Sequence, residues 1–281
     1  MDQIFNNSGS EYFVANIKHF AEFLKAVGPN PFLIYEEHSQ ISKLIPETPK
    51  FTNMGEEVKP KTAVDLPTEF DSPTFIGASA ANSIAVSRFE EAYRSRPPWD
   101  IDGPQPHFAR LLGTGLIQGR VLDVGCGTGE NALFFASQGL HVTGLDASAV
   151  AIDRAQAKAR SRGLSVRFIQ GDALRLAALA ETFDTVTDSG LLHVFSDQDM
   201  ELLIRGVHAV LRPAGLYWLM CFSERATFPG PRRLTQQHIT TLFKDGWQIR
   251  SIEHARFEVI AGRAEDDGKI AAAWLAGIER L

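Results

Sequence analysis

A glycine-rich turn between an apolar strand and a helix is the feature that most constrains the fold of this chain. Residues 120–130 read Arg-Val-Leu-Asp-Val-Gly-Cys-Gly-Thr-Gly-Glu, so a short β pattern leads directly into three closely spaced glycines. A second β pattern at residues 141–146 ends in Asp146. Glycines let a ligand approach the backbone, a helix N-terminus offers free N–H groups, and a carboxylate can accept from ribose hydroxyls. This layout is typical of a nucleoside-binding α/β domain.

The spacing after Gly125 argues against two common nucleotide sites. A dinucleotide turn follows the pattern G-x-G-x-x-G, and its last glycine would stand at Glu130 here. A bulky anion at that place suits a diphosphate poorly, and the Gly-Lys-Ser/Thr of a nucleotide P-loop does not occur in the sequence. Asp123 adds negative charge beside the turn. We therefore expect a ligand with a ribose and a cationic part but without phosphates.

Three ordered sequence blocks resemble those of the class I S-adenosylmethionine-dependent methyltransferases. They are Val121–Gly129, Gly144–Ser148 and Gly171–Ala173. The resemblance covers roughly residues 85–281 and implies S-adenosylmethionine as cofactor, methyl transfer as activity and a Rossmann-like fold. A Rossmann-like domain that has lost its ligand is the alternative.

From Ser83 onward, strand and helix patterns alternate, which predicts a parallel sheet covered on both faces. Residues 270–281 allow a helix, since they contain four alanines. The resemblance implies instead a strand at Ala272–Arg280, antiparallel and inserted between its two predecessors, with residues 262–268 as the connecting loop. The predicted fold class is α/β: a Rossmann-like, doubly wound, seven-stranded and mostly parallel sheet with an antiparallel last strand. Predicted strands precede it at residues 121–124, 141–145, 166–170, 183–187, 216–222 and 247–260.

An N-terminal helical and extended extension precedes this domain, so we expect two parts, residues 1–82 and residues 83–281. Ser10–Val27 carries an apolar stripe at helical spacing, and Gly28-Pro29 ends it. The proline-rich residues that follow are either an arm packed over the next domain or a partly disordered linker. We expect the extension to cap the active site.

The resemblance places the cofactor at the carboxyl ends of the strands. Asp146 would accept hydrogen bonds from both ribose hydroxyls, and Asp172 would hold the adenine amino group; the alternative for each is a helix cap. Cys126 is expected to be a small turn residue near the methionine part of the cofactor rather than a nucleophile. The predicted cofactor-binding residues are Trp99, Asp123, Gly125, Cys126, Gly127, Gly129, Asp146, Ala147, Asp172, Ala173 and Ser189.

The segment Pro97–Pro106 points to one subgroup of these methyltransferases. It is similar to the Trp-Asp-x-Gly-x-Pro-Gln-Pro lead-in of small-molecule methyltransferases related to the thiopurine, thiol and halide enzymes and to bacterial heterocyclic-toxin methyltransferases. In that group the segment lies over the cofactor; a surface Pro-Trp cluster is the alternative. Asp102 stands where the group has glycine, and Ser189 stands where the thiopurine enzymes have arginine. The second departure argues against a thiopurine-like specificity.

The loop after the fourth predicted strand faces the transferable methyl in these enzymes. His193 in this loop is the candidate catalytic residue, because its pKa range suits removal of a proton near neutrality. The alternative is a histidine that packs under the cofactor or bonds a backbone group. Phe195, Phe222 and Phe228 are the predicted acceptor-binding residues, and an aromatic lining would favour a flat apolar substrate.

The predicted function is methyl transfer to an O, N or S atom of a small, aromatic or heterocyclic molecule. Alternatives are a thiol or halide methyltransferase, a cyclase or pericyclase that binds the cofactor without methyl transfer, and a cofactor-sensing module. Release of S-adenosylhomocysteine separates methyl transfer from the last two.

Composition and charge indicate which partners and which cellular location to expect. The formal net charge of -6 argues against a nucleic-acid partner. The sequence lacks an apolar run of about 20 residues and a secretory N-terminus, and its eight histidines show no metal-ligand spacing. We expect a cytoplasmic monomer or weak homodimer with a small-molecule acceptor, and neither membrane nor metal binding.

Overall fold

The structure, a computed structural model, describes residues 83–227, 230–260 and 270–281. The predictions for residues 1–82, for Phe228 and for the connecting loop at residues 262–268 lie outside the described residues and stay predictions.

Helices and strands alternate through most of the described chain. The helices are α1 (Ser83–Arg94), α2 (Pro106–Gly113), α3 (Glu130–Ser137), α4 (Ala149–Arg162), α5 (Asp197–Val210) and α6 (Gln236–Leu242). The strands are β1 (Arg120–Val124), β2 (His141–Asp146), β3 (Arg167–Gln170), β4 (Phe183–Ser189), β5 (Leu211–Phe222), β6 (Trp247–Arg256) and β7 (Ala272–Arg280). Two 3-10 segments, Ala173–Leu179 and Leu192–Val194, follow β3 and β4. None of the described helices combines the length and the apolarity needed to cross a membrane.

The seven strands form one sheet in the order β3-β2-β1-β4-β5-β7-β6. Strands β1 to β5 pair in parallel, and β7 lies antiparallel between β5 and β6. This confirms the predicted fold class and the inserted last strand. The helical alternative for residues 270–281 was wrong, because three of the four alanines lie in β7, which is paired on both sides by β5 and β6.

Both faces of the sheet are buried, as expected for strands between two layers of helices. Alternate residues of β5 belong to different cores. Tyr217, Leu219 and Cys221 lie on the face covered by α5, and Trp218, Met220 and Phe222 lie on the face covered by α3 and α4.

Two strand boundaries differ from the prediction by more than two residues. Strand β5 begins at Leu211, five residues earlier than predicted, because Leu211 pairs with Phe183 ahead of an irregularity in the ladder. Strand β6 ends at Arg256 instead of Ile260. Beyond it the backbone bonds other segments: Phe257 N donates to the Ala271 carbonyl and Ile260 N to the Pro98 carbonyl.

Side-chain caps fix the starts of three helices. The Ser148 hydroxyl accepts from Ala151 N at 3.1 Å at the start of α4. Ser196 and Thr235 do the same for α5 and α6. Hydroxyl caps satisfy backbone N–H groups that the first helical turn leaves without partners.

Two glycines offer a test of how tightly the turn before α3 is packed. Gly129 has φ 85°, and a Cβ there would lie 2.7 Å from Phe168 Cζ and 3.0 Å from Ala155 Cβ. Gly139 has φ 87° with no atom within 4 Å of such a Cβ. Gly139→Ala should lower the free energy of unfolding by about 1–2 kcal/mol through backbone strain alone. Gly129→Ala should cost roughly a further 1–3 kcal/mol through overpacking. Urea unfolding of both variants measures the difference, and equal losses would contradict it.

Candidate functional site

The glycine-rich turn lies at the carboxyl end of β1 and is fastened to the end of β2. Gly125 N and Cys126 N both donate to the Leu145 carbonyl, at 2.7 and 3.0 Å. Gly127 N donates to Asp146 Oδ2 at 2.8 Å. The turn and the predicted ribose-binding carboxylate are therefore parts of one hydrogen-bonded unit.

Glycine is required in this turn for two reasons. Gly125 and Gly127 have φ 69° and 54°, a region that side chains disfavour. A Cβ on Gly125 would lie 2.9 Å from Leu191 Cβ, and one on Gly127 would lie 2.6 Å from the Tyr93 hydroxyl. Neighbouring side chains thus lie directly on the glycines. The sequence analysis had explained these glycines by cofactor contact alone.

Asp146 combines two backbone contacts with remaining acceptor capacity. Its Oδ1 accepts from Ser148 N at 2.9 Å, in addition to the Gly127 bond on Oδ2. Burial raises the pKa of this carboxyl, while the two backbone N–H groups oppose the shift. Ser148, and not Asp146, is the N-cap of α4. Each oxygen retains a lone pair that can accept a further hydrogen bond.

The third predicted block lies beside Asp146. Gly171 N donates to the Asp146 carbonyl at 2.9 Å. Buried Asp172 caps the 3-10 segment that begins at Ala173, its Oδ1 accepting from Leu174 N at 2.9 Å. The Ala147 carbonyl accepts from Gln170 Nε2 at 3.3 Å. The structure shows the cap that was the alternative for Asp172 and leaves its adenine role a prediction.

Asp123 lies beside the glycine turn and has one carboxylate oxygen that its neighbours in the described chain do not bond. It is 1% exposed, and its Oδ1 accepts from Thr187 Oγ1 at 2.8 Å. No described residue bonds its buried Oδ2. Burial raises the pKa of Asp123 to about 7, and the nearby carboxyls of Asp188 and Asp146 add to the shift. An orphaned buried carboxylate oxygen fits a cationic ligand group, as the sequence predicted.

Helix α1 contributes two side chains that the sequence analysis missed, one to the glycine turn and one to the start of α4. The Tyr93 hydroxyl, lying on Gly127, accepts from Trp99 Nε1 at 3.1 Å. Glu90 Oε2 accepts from the Ser148 hydroxyl at 2.6 Å. Trp99 itself is 44% exposed, and cofactor binding by it stays a prediction. Nothing in the helical pattern of α1 marked Glu90 or Tyr93, because only packing shows which face meets the turn.

The segment Pro97–Pro106 lies against the glycine turn, and its predicted place over the cofactor stays a prediction. The Thr128 hydroxyl donates to Asp100 Oδ1. Gln105 N donates to Asn131 Oδ1 at 2.9 Å, and the Gln105 amide exchanges two hydrogen bonds with the Glu258 backbone. The segment is therefore held from α3 on one side and from the residues after β6 on the other.

The structure changes the physical account of Glu130. The sequence analysis used it only as a bulky anion that suits a diphosphate poorly. Instead it is 9% exposed and faces α4, where Arg162 binds both of its oxygens at 2.8 Å and Lys158 binds one at 2.8 Å. Lys158 also donates to the Thr128 hydroxyl at 2.7 Å. Glu130 therefore anchors the turn to α4.

The turn after β4 is clamped by a buried carboxyl. Asp188 Oδ1 accepts from Leu191 N at 2.7 Å, and Oδ2 accepts from Leu192 N at 3.1 Å and from the Tyr217 hydroxyl at 2.7 Å. Burial raises the pKa of Asp188 to about 7. Half-buried Ser189 ends β4 opposite Met220. Since Leu191 contacts Gly125, this clamp brings the two loops together.

His193 is 4% exposed and held in a fixed orientation. Its Nδ1 accepts from Phe222 N at 2.8 Å, and its ring stacks on Phe222 with centroids 4.9 Å apart. Burial lowers the pKa of His193 to about 3, and the charge of Arg233 adds to the shift. The imidazole is therefore neutral near neutrality. With Nδ1 accepting, its proton lies on Nε2.

The predicted aromatic residues do not form one group. Phe222 contacts His193 and Phe257, with Phe222–Phe257 centroids 5.1 Å apart. Phe195 packs instead against the core on the α5 face, because it lies on the opposite side of the sheet. The sequence analysis missed Phe257 because it placed this residue inside a strand at residues 247–260, whereas β6 ends at Arg256. Phe228 lies outside the described residues.

Within the part of the chain that the structure describes, no group of three or more His, Cys, Asp or Glu could hold a metal ion. Burial raises the pKa of the Cys126 thiol well above its usual value, so this side chain stays protonated.

Comparison with known proteins assigns the family. A family model described as a methyltransferase domain matches residues 121–215. A 2-heptyl-1-hydroxyquinolin-4(1H)-one methyltransferase of Mycobacteroides abscessus is 31% identical over 193 residues, which cover 64% of this chain and 85% of that protein. The chain belongs to the class I S-adenosylmethionine-dependent methyltransferases.

Two further proteins are similar to this methyltransferase. A probable thiol methyltransferase 2 of Arabidopsis thaliana is 31% identical over 160 residues, covering 55% of this chain and 70% of that protein. A solved structure described as "Conversion of a Disulfide Bond into a Thioacetal Group during Echinomycin Biosynthesis" is 36% identical, with a TM-score of 0.64, and the match covers 69% of this chain and 92% of that one. The predicted enzyme class and the cofactor, S-adenosylmethionine, are confirmed.

Replacement of Asp146 tests its double role in the methyltransferase. Asp146→Ala should weaken S-adenosylmethionine binding by about 2–4 kcal/mol through lost ribose hydrogen bonds. It should also lower the free energy of unfolding, because Gly127 N and Ser148 N lose their acceptor. Asp146→Asn keeps one acceptor oxygen, so its cofactor affinity and its free energy of unfolding should lie between those of the original enzyme and those of Asp146→Ala. Calorimetry and thermal unfolding measure both effects, and an unchanged dissociation constant would refute the ribose assignment.

The raised pKa of Asp123 predicts a pH-dependent cofactor affinity. A cationic group at Oδ2 favours the ionised carboxyl, whose pKa is about 7 without it. Below that pH, binding must expel a proton, so affinity should fall by up to about tenfold per pH unit.

The measurement is the dissociation constant for S-adenosylmethionine between about pH 5.5 and pH 7, below the ordinary pKa of an α-amino group, about 7.7–8.0. Asp123→Asn should bind more weakly and lose most of this slope. Asp146 and Asp188, whose pKa values are also raised, contribute whatever slope remains. Identical slopes in the two proteins would exclude Asp123 as the cation-binding group.

Proposed function

We propose that this methyltransferase methylates a small aromatic or heterocyclic molecule, in secondary metabolism or detoxification. The observation that carries the proposal is the aromatic group of His193, Phe222 and Phe257 at the carboxyl ends of β4, β5 and β6. The loop of Gly190 and Leu191 connects this group to the glycine turn. Flat side chains of this kind suit a flat acceptor. The relative that acts on a hydroxyquinolinone supports the same acceptor class.

Three carboxylates are proposed to hold the cofactor. Asp146 would accept from the ribose hydroxyls, Asp172 from the adenine amino group, and Asp123 from the ammonium group through its orphaned Oδ2. When bound, S-adenosylmethionine supplies a methyl group on a positively charged sulfur. The three side chains lie at the ends of β1, β2 and β3, so the sheet sets their spacing.

The protein's own contribution would be to hold the two reactants in line and to exclude water. Transfer to an acceptor that is already ionised needs little acid or base assistance, so positioning carries most of the rate. The segment Pro97–Pro106, held by Asp100 and Gln105, would cover the glycine turn and keep solvent away.

A sulfur acceptor is the second candidate. It is favoured by the similarity to a probable thiol methyltransferase and to the structure described by a disulfide conversion. In that case the same aromatic residues would pack against the apolar part of a thiol.

A screen with labelled S-adenosylmethionine tests the proposal. We expect hydroxyquinolones and phenols to be methylated faster than aliphatic thiols, with one S-adenosylhomocysteine released for each methyl transferred. Asp146→Ala is the control for cofactor-dependent turnover. Faster methylation of thiols would favour the second candidate. Product formation that leaves the cofactor intact would indicate a cyclase or pericyclase, and cofactor binding without any product would indicate a sensing module.

A further inference from the structure

His193 has one hydrogen-bonding atom that no other part of the described chain uses. Its Nδ1 accepts from Phe222 N at 2.8 Å. Among the described residues no acceptor bonds Nε2. The residue is 4% exposed, and Nε2 is not one of its fully buried atoms, so a molecule outside the chain can reach it. An N–H donor that is fixed in orientation and left without an acceptor in the protein is suited to bind a ligand.

The location of Nε2 indicates which partner that is. A Cβ on Gly190 would lie 3.4 Å from Nε2 and 3.5 Å from Phe257 Cζ, so the N–H lies over the loop that follows β4. The next residue of that loop, Leu191, contacts Gly125 of the cofactor turn. Nε2 thus lies among aromatic rings at the loop after β4, the loop that the family resemblance expects to face the transferable methyl group.

We propose that His193 binds the acceptor by donating a hydrogen bond from Nε2, and that this bond selects aromatic acceptors with a carbonyl or anionic oxygen on the ring. The inference rests on the proposed function and deepens it. It assigns His193 a role other than the general base expected from the sequence. A base must present a free lone pair, and the lone pair of this neutral ring is occupied by Phe222 N.

The donor role determines where the acceptor's proton goes. His193 keeps its Nε2 proton throughout, so a hydroxyl acceptor loses its own proton to solvent before the methyl group moves. The groups around the ring support a permanently neutral donor: Phe222 and Phe257 are apolar, and Arg233 is the charged side chain that acts on it. The pH dependence of kcat/KM should therefore follow the ionisation of the acceptor and show no histidine between about pH 5 and pH 8.

Two substitutions separate donor, base and packing roles. Glutamine places an amide N–H near the position of imidazole Nε2, whereas asparagine places its amide near Nδ1 and can still accept from Phe222 N. With a hydroxyquinolone acceptor, His193→Gln should keep kcat/KM within about fivefold of the original enzyme. His193→Asn should lose about 10–100-fold, since it leaves the acceptor oxygen without its donor. With a thiolate acceptor that lacks a ring oxygen, His193→Gln and His193→Asn should have the same kcat/KM.

Controls keep the comparison interpretable. Affinity for S-adenosylmethionine and thermal unfolding should match the original enzyme in both variants, and His141→Asn, at the exposed start of β2, should change nothing. Should a variant fail to fold, 15N NMR of the intact enzyme with S-adenosylhomocysteine gives the answer: the Nε2–H form should be present, and its proton should shift when the hydroxyquinolone binds.

The outcomes are distinct. Equal losses in both variants, confined to acceptors still protonated at the assay pH, would make His193 a base and overturn the proposal. Equal losses with every acceptor would make it a packing residue, and an Nδ1–H form or an unmoved proton in the NMR experiment would also overturn the donor role. If the original enzyme methylates no aromatic acceptor, the proposed function itself fails, and the donor role fails with it.

Discussion

The hydrogen bond from Gly127 N to Asp146 Oδ2 is the interaction on which the rest of the site depends. It joins the loop after β1 to the end of β2, and two further bonds to the Leu145 carbonyl reinforce the joint. Once the turn is fixed, Leu191 can pack on Gly125 and Tyr93 on Gly127, each filling space that a glycine leaves. The loop after β4 and helix α1 are thereby brought to the same turn.

Buried carboxyl groups on the two sides of the glycine turn differ in whether a basic side chain pairs with them. Toward α4, Glu130 is matched by Arg162 and Lys158, so the ionised form is satisfied within the protein. Toward the sheet, Asp123 and Asp188 are buried without a cation, and the pKa of each is raised to about 7. Asp188 compensates with a tyrosine hydroxyl and two backbone N–H groups, whereas Asp123 keeps one oxygen orphaned. This contrast separates an anchoring carboxylate from one available to a ligand.

Short-range patterns and turn glycines predicted the alternating strands and helices and the carboxylates at the strand ends. The inserted last strand was implied by the family resemblance alone, since its residue pattern also allowed a helix. The sequence did not predict Glu90, Tyr93 or Phe257, whose placement depends on which helix or loop packs against the turn. It grouped Phe195 with Phe222, although the chain passes to the other face of the sheet between them. Side-chain partners across long sequence separations, such as Gln105 with Glu258, leave no local signal.

The inserted position of β7 has a consequence for synthesis of the chain. Strand β6 has no contact with β5 in the ladder, because β7 lies between them. Until residues 272–280 have left the ribosome, β5 presents an unpaired edge and β6 has no place in the sheet. Exposed strand edges promote association between chains, and pairings that join distant segments form slowly. In the interval between the emergence of β5 and that of β7, the nascent protein is therefore open to aggregation through this edge.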